Sequence, residues 1–125
     1  MNKGVVILAH GSRAIAWEAN QLVVKIVEMY KVKTGNKNVK PAYMNSKSGG
    51  PSLEDAVTEL VKEGLTEIIV APWFLTDGLH IREDIPEIIS ALEEKYPQAK
   101  ITLAKVLGAD ERIVDILIDR IEEAK

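Results

Sequence analysis

Four short apolar runs alternate with four stretches whose apolar residues recur at helical spacing, and this alternation constrains the fold more than any other feature of the chain. The runs are Val5 to Ala9, Val39 to Met44, about Glu67 to Ala71 and about Lys100 to Ala104. The first is continuously aliphatic, the pattern of a strand covered on both faces. The second contains Pro41, which cannot donate to a ladder and is tolerated at a sheet edge. From about Ala14 to Val32, Trp17, Val23, Val24, Val27 and Tyr30 are interleaved with polar residues, and Gly35 stands where a helix would end. Ser52, followed by Glu54 and Asp55, opens a stripe of Leu53, Ala56, Val57, Leu60 and Val61 that Gly64 closes. Asp84 is placed to cap a third helix, with Pro86 in its first turn and Glu87 three residues after the cap. Its buried face would be Ile85, Ile88, Ile89, Leu92 and Tyr96, and a last helix bears Ile113, Val114, Leu117 and Ile121. A β-α-β-α-β-α-β-α order without an internal linker predicts parallel strands joined by right-handed crossovers. The expected fold is α/β and flavodoxin-like: a three-layer sandwich with a four-stranded parallel sheet of order 2-1-3-4 and helices on both faces, one domain over residues 1–125.

Composition narrows the chemistry. With no cysteine in 125 residues, disulfides, thiolate metal sites and cysteine nucleophiles are excluded, so any metal must be met by nitrogen or oxygen. The formal net charge of −3 argues against a nucleic-acid partner, because neutralising phosphates needs a basic surface. No apolar run approaches the roughly 20 residues needed to cross a bilayer, and the start lacks a signal-peptide pattern, so a cytoplasmic protein without a membrane partner is expected.

The chain has two histidines. In a 2-1-3-4 sheet strands 1 and 3 are neighbours, and the crevice outside their carboxyl ends is where such sheets bind ligands. His10 follows strand 1 directly, and His80 is expected in a long loop after strand 3, preceded by Asp77 and Gly78. Both imidazoles can then face one crevice, although each could equally be a hydrogen-bonded structural residue. An imidazole serves near neutral pH as a base or as a ligand for a borderline divalent cation. Two are too few for a closed structural zinc site, which leaves an open, exchangeable one. Arg13, Lys47 and Arg82 could hold carboxylates at the crevice rim, or be solvated surface charges. Ser12 has no acid–base partner that would make it a nucleophile and suits a turn or cap. "HGSR" is not a phosphate-binding fingerprint, since one glycine makes neither G-x-G-x-x-G nor a P-loop. Trp17, Trp73 and Phe74 fit either a pocket wall or the core.

The order of "HGSR" after strand 1, "AYM" leading to "PSLEDA" after strand 2, "PWFLTDGLHIREDIPE" after strand 3 and "LGADERIVDILIDR" near the end resembles the small class II chelatases of tetrapyrrole synthesis. The closest description is a short-form sirohydrochlorin cobaltochelatase, with nickel- and iron-inserting relatives. The resemblance covers nearly the whole chain, and "HGS" combined with "G-x-H-x-x-x-D-I-P" is its specific part. It implies ATP-independent insertion of a divalent metal ion, Co2+ before Ni2+ or Fe2+, into sirohydrochlorin. The ion is then a substrate, and no cofactor is permanently bound. It also implies a homodimer that resembles the two-lobed longer enzymes. By the match of motifs, His10 and His80 take the metal-binding and proton-accepting positions, the division between them left open. Sirohydrochlorin is polycarboxylated, which gives Arg13, Lys47 and Arg82 an expected task in orienting it, and Ser12 and Asn45 are expected to bind substrate with them.

Asn45 departs from the pattern, since many relatives place a glutamate there. Its neutral carbonyl oxygen attracts a cation less and cannot act as a base. That departure supports a rival reading, a metal or tetrapyrrole carrier without catalysis. A third reading, a histidine-phosphatase-like phosphoryl transferase, lacks the arginine expected before the histidine, where Ala9 stands.

Overall fold

The computed structural model describes residues 3–11, 17–45 and 48–125, with the backbone alone for 17–19 and 79–81. The elements follow the expected alternation: β1 (Gly4–Ala9), α1 (Trp17–Thr34), β2 (Val39–Tyr43), α2 (Leu53–Lys62), β3 (Glu67–Pro72), α3 (Leu79–Lys95), β4 (Lys100–Leu103) and α4 (Glu111–Glu123). The strands form one parallel sheet of order β2-β1-β3-β4. This is the expected topology, and Pro41 does lie on the edge strand β2.

The two-residue period of the strands divides the core into two layers. Val6 and Leu8 of β1, Ile68 and Val70 of β3 and Ile101 of β4 point to one face. There they meet Leu53, Ala56, Val57 and Leu60 of α2 and Ile85, Ile89 and Leu92 of α3. The alternate residues Val5, Ile7 and Ala9, with Val39 and Tyr43 of β2, pack against Val23 and Val27 of α1 on the other face. Every residue of β1 is buried, as its unbroken apolar run requires.

The helix ends are set by local chemistry. The Ser52 hydroxyl accepts from Asp55 N at 3.0 Å while the Asp55 carboxylate accepts from Ser52 N at 3.1 Å, a reciprocal cap. Gly64 at φ +92° and Gly35 at φ +77° end α2 and α1 in the left-handed region. The start expected for α1 at Ala14 lies outside the described residues.

Two expectations are corrected. Asp84 does not cap α3: the helix begins at Leu79 after Gly78, which offers no side-chain cap, and Pro86 lies inside it. The backbone closes its first turn earlier, Arg82 N donating to Gly78 O at 3.1 Å, so cap-like residues further along are simply carried in the helix. His80 is therefore in the first turn of α3 and not in a loop. Nor does α4 bury an apolar face. Val114, Ile116, Leu117, Ile118 and Ile121 are 50–56% exposed, and no residue of this helix is buried.

Candidate functional site

The crevice forms where β1 and its two neighbours stop almost level, Ala9 opposite Tyr43 of β2 and Leu8 opposite Pro72 of β3. On one side Leu8 O accepts from Trp73 N at 2.7 Å; on the other, Ala9 O and His10 O accept from Met44 N and Asn45 N at 2.9 and 2.8 Å. His10 is thus pinned by its backbone between the exits of β2 and β3, with an exposed side chain. Its Nδ1 lies 3.4 Å from Gly11 O. A carbonyl only accepts, so in neutral imidazole this contact selects the Nδ1–H tautomer and leaves the lone pair on Nε2. The Phe74 ring stands edge-on to the imidazole, centroids 6.4 Å apart and planes at 74°. That geometry is a favourable aromatic pairing and puts an apolar wall beside the ring.

Behind His10 the turn is tightly built. Gly11 has φ +88°, and a Cβ there would come within 3.0 Å of Tyr43 Cβ and 3.2 Å of Ser48 Cβ. The Asn45 amide donates to Gly11 O at 3.4 Å, something a carboxylate could not do. Tyr43 reaches across to α1, its hydroxyl donating to Asn20 O at 2.8 Å, and the Asn20 amide donates to Ser48 O at 3.3 Å. Burial raises the Tyr43 phenol above its ordinary value, so it stays a neutral donor. A Cβ on Gly50 would fall 2.5 Å from the Tyr43 ring, so a glycine is required there too.

Of the residues singled out in the sequence, the backbone of His80 enters the first turn of α3 at the same carboxyl edge as His10. Its ring lies outside the description, as do Ser12, Arg13 and Lys47 altogether and the Trp17 side chain. The Arg82 Nε donates to Asp77 at 3.2 Å, an exposed pair. Trp73 packs with the α1-side core and Phe74 with the opposite one, and the Phe74 ring also stands beside His10. The sequence reading missed Gly11, Asn20 and the Phe74–His10 contact; the only signal was the glycine directly after the first histidine. A cavity of about 480 Å3 adjoins this edge, walled by Asp77, Ala104, Lys105 and Val106. A larger one of about 700 Å3, lined by Lys3, Val5, Tyr30, Lys37 and Ile69, lies at the opposite, amino end of the strands, away from His10. Among the described residues no three or more His, Asp or Glu side chains gather to hold an ion, and no helix could span a membrane.

The family model described as CbiX matches residues 4–124. The chain belongs to the CbiX family. Over 97% of its length it is 33% identical to a sirohydrochlorin cobaltochelatase from Methanosarcina acetivorans, 95% of which is covered. Over 95% of its length it is 33% identical to the chloroplastic sirohydrochlorin ferrochelatase of Arabidopsis thaliana, but covers only 51% of that protein. Among solved structures, SirB from Bacillus subtilis with Fe3+ superimposes with a TM-score of 0.86 at 27% identity over 99% of this chain and 48% of the other. The chain thus spans about half the length of these longer relatives and nearly all of the Methanosarcina acetivorans protein. The family fold agrees with the sheet order and helix placement described above.

Proposed function

We propose that this chain is an ATP-independent chelatase that inserts a divalent metal ion, Co2+ before Ni2+ or Fe2+, into sirohydrochlorin. It would act in cobalamin or related tetrapyrrole synthesis in the cytoplasm, as a homodimer. The observation that carries the reading is His10. It stands at the carboxyl edge of β1, with Nδ1 turned to a carbonyl and the Nε2 lone pair left over, in a chain matched end to end by a cobaltochelatase.

Insertion exchanges two pyrrole N–H protons for one dication, so a group must accept protons as the ion enters. In the proposal one of His10 and His80 holds the ion and the other takes the protons and passes them to water. One or two imidazoles bind the ion less tightly than the four macrocycle nitrogens will, so it moves in one direction. The edge of Phe74 gives the flat macrocycle an apolar surface beside His10. Arg13, Lys47 and Arg82 meet the substrate carboxylates; the Arg82 Nε is held by Asp77, so its terminal Nη groups would make that contact. Ser12 and Asn45 complete the substrate-facing set.

Purified protein given Co2+ and sirohydrochlorin should change the tetrapyrrole absorption spectrum faster than the spontaneous reaction. Full rates in both His10→Ala and His80→Ala would reject the mechanism, and competition among equal Co2+, Ni2+ and Fe2+ reads the preference. One observation favours a carrier instead: Asn45 puts a neutral amide where many relatives have a carboxylate. Tight binding of Co2+ or the tetrapyrrole in equilibrium dialysis, without faster insertion, would select that reading.

A further inference from the structure

The strand exits stand side by side in the order β2, β1, β3, β4, so a flat ligand centred on His10 would extend past the immediate neighbours of β1. Two strand spacings, about 10 Å, separate the β1 exit from the β4 exit. The chain after β4 is held along this edge, Ala104 N donating to Val70 O and Leu107 N to Phe74 O, each at 2.9 Å. It therefore runs beside the residues that follow β3 and joins the backbone of Phe74, whose ring stands edge-on to His10. This segment and Asp77 wall the cavity of about 480 Å3, with Lys105 among the lining residues. The charges around it do not cancel. The Asp77 carboxylate accepts from Arg82 Nε at 3.2 Å, and the next carboxylate along the chain, Asp110, is paired with Arg112 at 2.6 Å. Lys105 is exposed and enters no ion pair among the described residues. The cavity is left with one uncompensated ammonium beside the half-buried Leu103 and Val106, a setting that suits a carboxylate carried on an apolar frame.

We infer that Lys105 binds one peripheral carboxylate of the tetrapyrrole and so helps to fix the rotation of the macrocycle over His10. This rests on the proposed function, from which it takes the substrate, and adds to it a residue that the sequence reading did not single out. A polycarboxylated macrocycle carries its carboxylates on flexible arms at the rim, several ångströms from the nitrogens that receive the metal. With those nitrogens at the β1 exit, an arm that points along the sheet edge passes Phe74 and arrives at the β4 exit. The flexible stem of Lys105 spans what remains, and its three N–H donors can turn to meet either carboxylate oxygen. Arg82 has a different part, because its Nε is fixed by Asp77 and its terminal groups offer a planar fork in one orientation. Lys105 supplies a movable point charge on the β4 side of the crevice, where the described residues hold no other unpaired cation against this cavity.

Binding can be measured apart from chemistry by titrating the protein with metal-free sirohydrochlorin and following the absorption and fluorescence of the tetrapyrrole. Lys105→Gln should raise the Kd about fivefold, the size of one exposed ion pair lost, and Lys105→Glu should raise it further by repulsion. Lys105→Arg keeps the charge and should stay near the unmodified value. Because the position is exposed, these variants keep the fold. Lys100→Gln is the control: it removes the same charge from the amino end of the same strand, and its Kd should not change. Calorimetric titration with Co2+ alone should be alike in all of them, since Lys105 meets the tetrapyrrole and not the ion. An unchanged Kd in Lys105→Gln would overturn the inference. So would an equal loss in Lys100→Gln, which would make the effect one of overall charge, or a weaker hold on Co2+ alone in Lys105→Gln. A protein that binds sirohydrochlorin in the expected pattern but does not speed insertion sinks only the chelatase reading. One that inserts Co2+ while Lys105→Gln binds sirohydrochlorin normally sinks only this contact.

Discussion

Gly11 occupies a backbone conformation that L-residues avoid, and it does so directly behind the histidine on which the proposed chemistry depends. A methyl group there would meet Tyr43 and Ser48 at 3.0 and 3.2 Å as well as the left-handed penalty of about 1–2 kcal/mol. Gly11→Ala should therefore lower stability in urea denaturation by about 2 kcal/mol or more and reduce insertion with it. Asn45 has two effects of opposite sign. Asn45→Asp removes the amide donor to Gly11 O and sets two acceptors side by side, a loss of about 1 kcal/mol. The same change brings a carboxylate toward the proposed ion. Calorimetric titration should show tighter Co2+ binding in Asn45→Asp than in the unmodified protein; equal binding would place Asn45 outside the metal's reach.

At the scale of the elements, helix starts divide into those written in capping residues and those set by the chain around them. Ser52 and Asp55 cap α2 reciprocally, and Ser52→Ala should cost about 1 kcal/mol in thermal or urea unfolding. Asp110 caps α4, accepting from Arg112 N at 2.9 Å and pairing with its guanidinium. The Arg112 side-chain hydrogen bonds, then its backbone N–H, hold the Asp110 carboxyl far below the ordinary carboxylate range. Because the folded value is the lower one, the cap's contribution is present above the unfolded carboxylate value and is lost only as pH falls from there toward the folded one. An NMR titration should find the Asp110 carboxyl still ionised at pH 3, where free aspartate is largely protonated. α3 belongs to the second kind: nothing at Gly78 marks a start, whereas Asp84 and Pro86 imitate one.

Across the whole molecule, the layer between the sheet and α2–α3 is the larger of the two core clusters among the described residues, and Ile85 is fully buried within it. Ile85→Ala should cost about 2–5 kcal/mol by leaving a cavity that the surrounding strands cannot close. The exposed stripe of α4 is a feature of this scale alone, since the helix by itself is ordinarily amphipathic.

The order of elements, the edge position of β2, the buried stripes of α2 and α3 and the position of His10 directly after β1 all follow from periodicity and proline chemistry. These are local or nearest-neighbour properties, which a sequence records directly. The tertiary structure decided what depends on residues distant in the chain. Gly78 and not Asp84 precedes α3, Tyr43 and Asn20 brace the turn behind His10, and Phe74 meets its ring. It also decided that the apolar stripe of α4 is not buried against the chain's own sheet, because an amphipathic pattern says that a face will be buried but not against which surface.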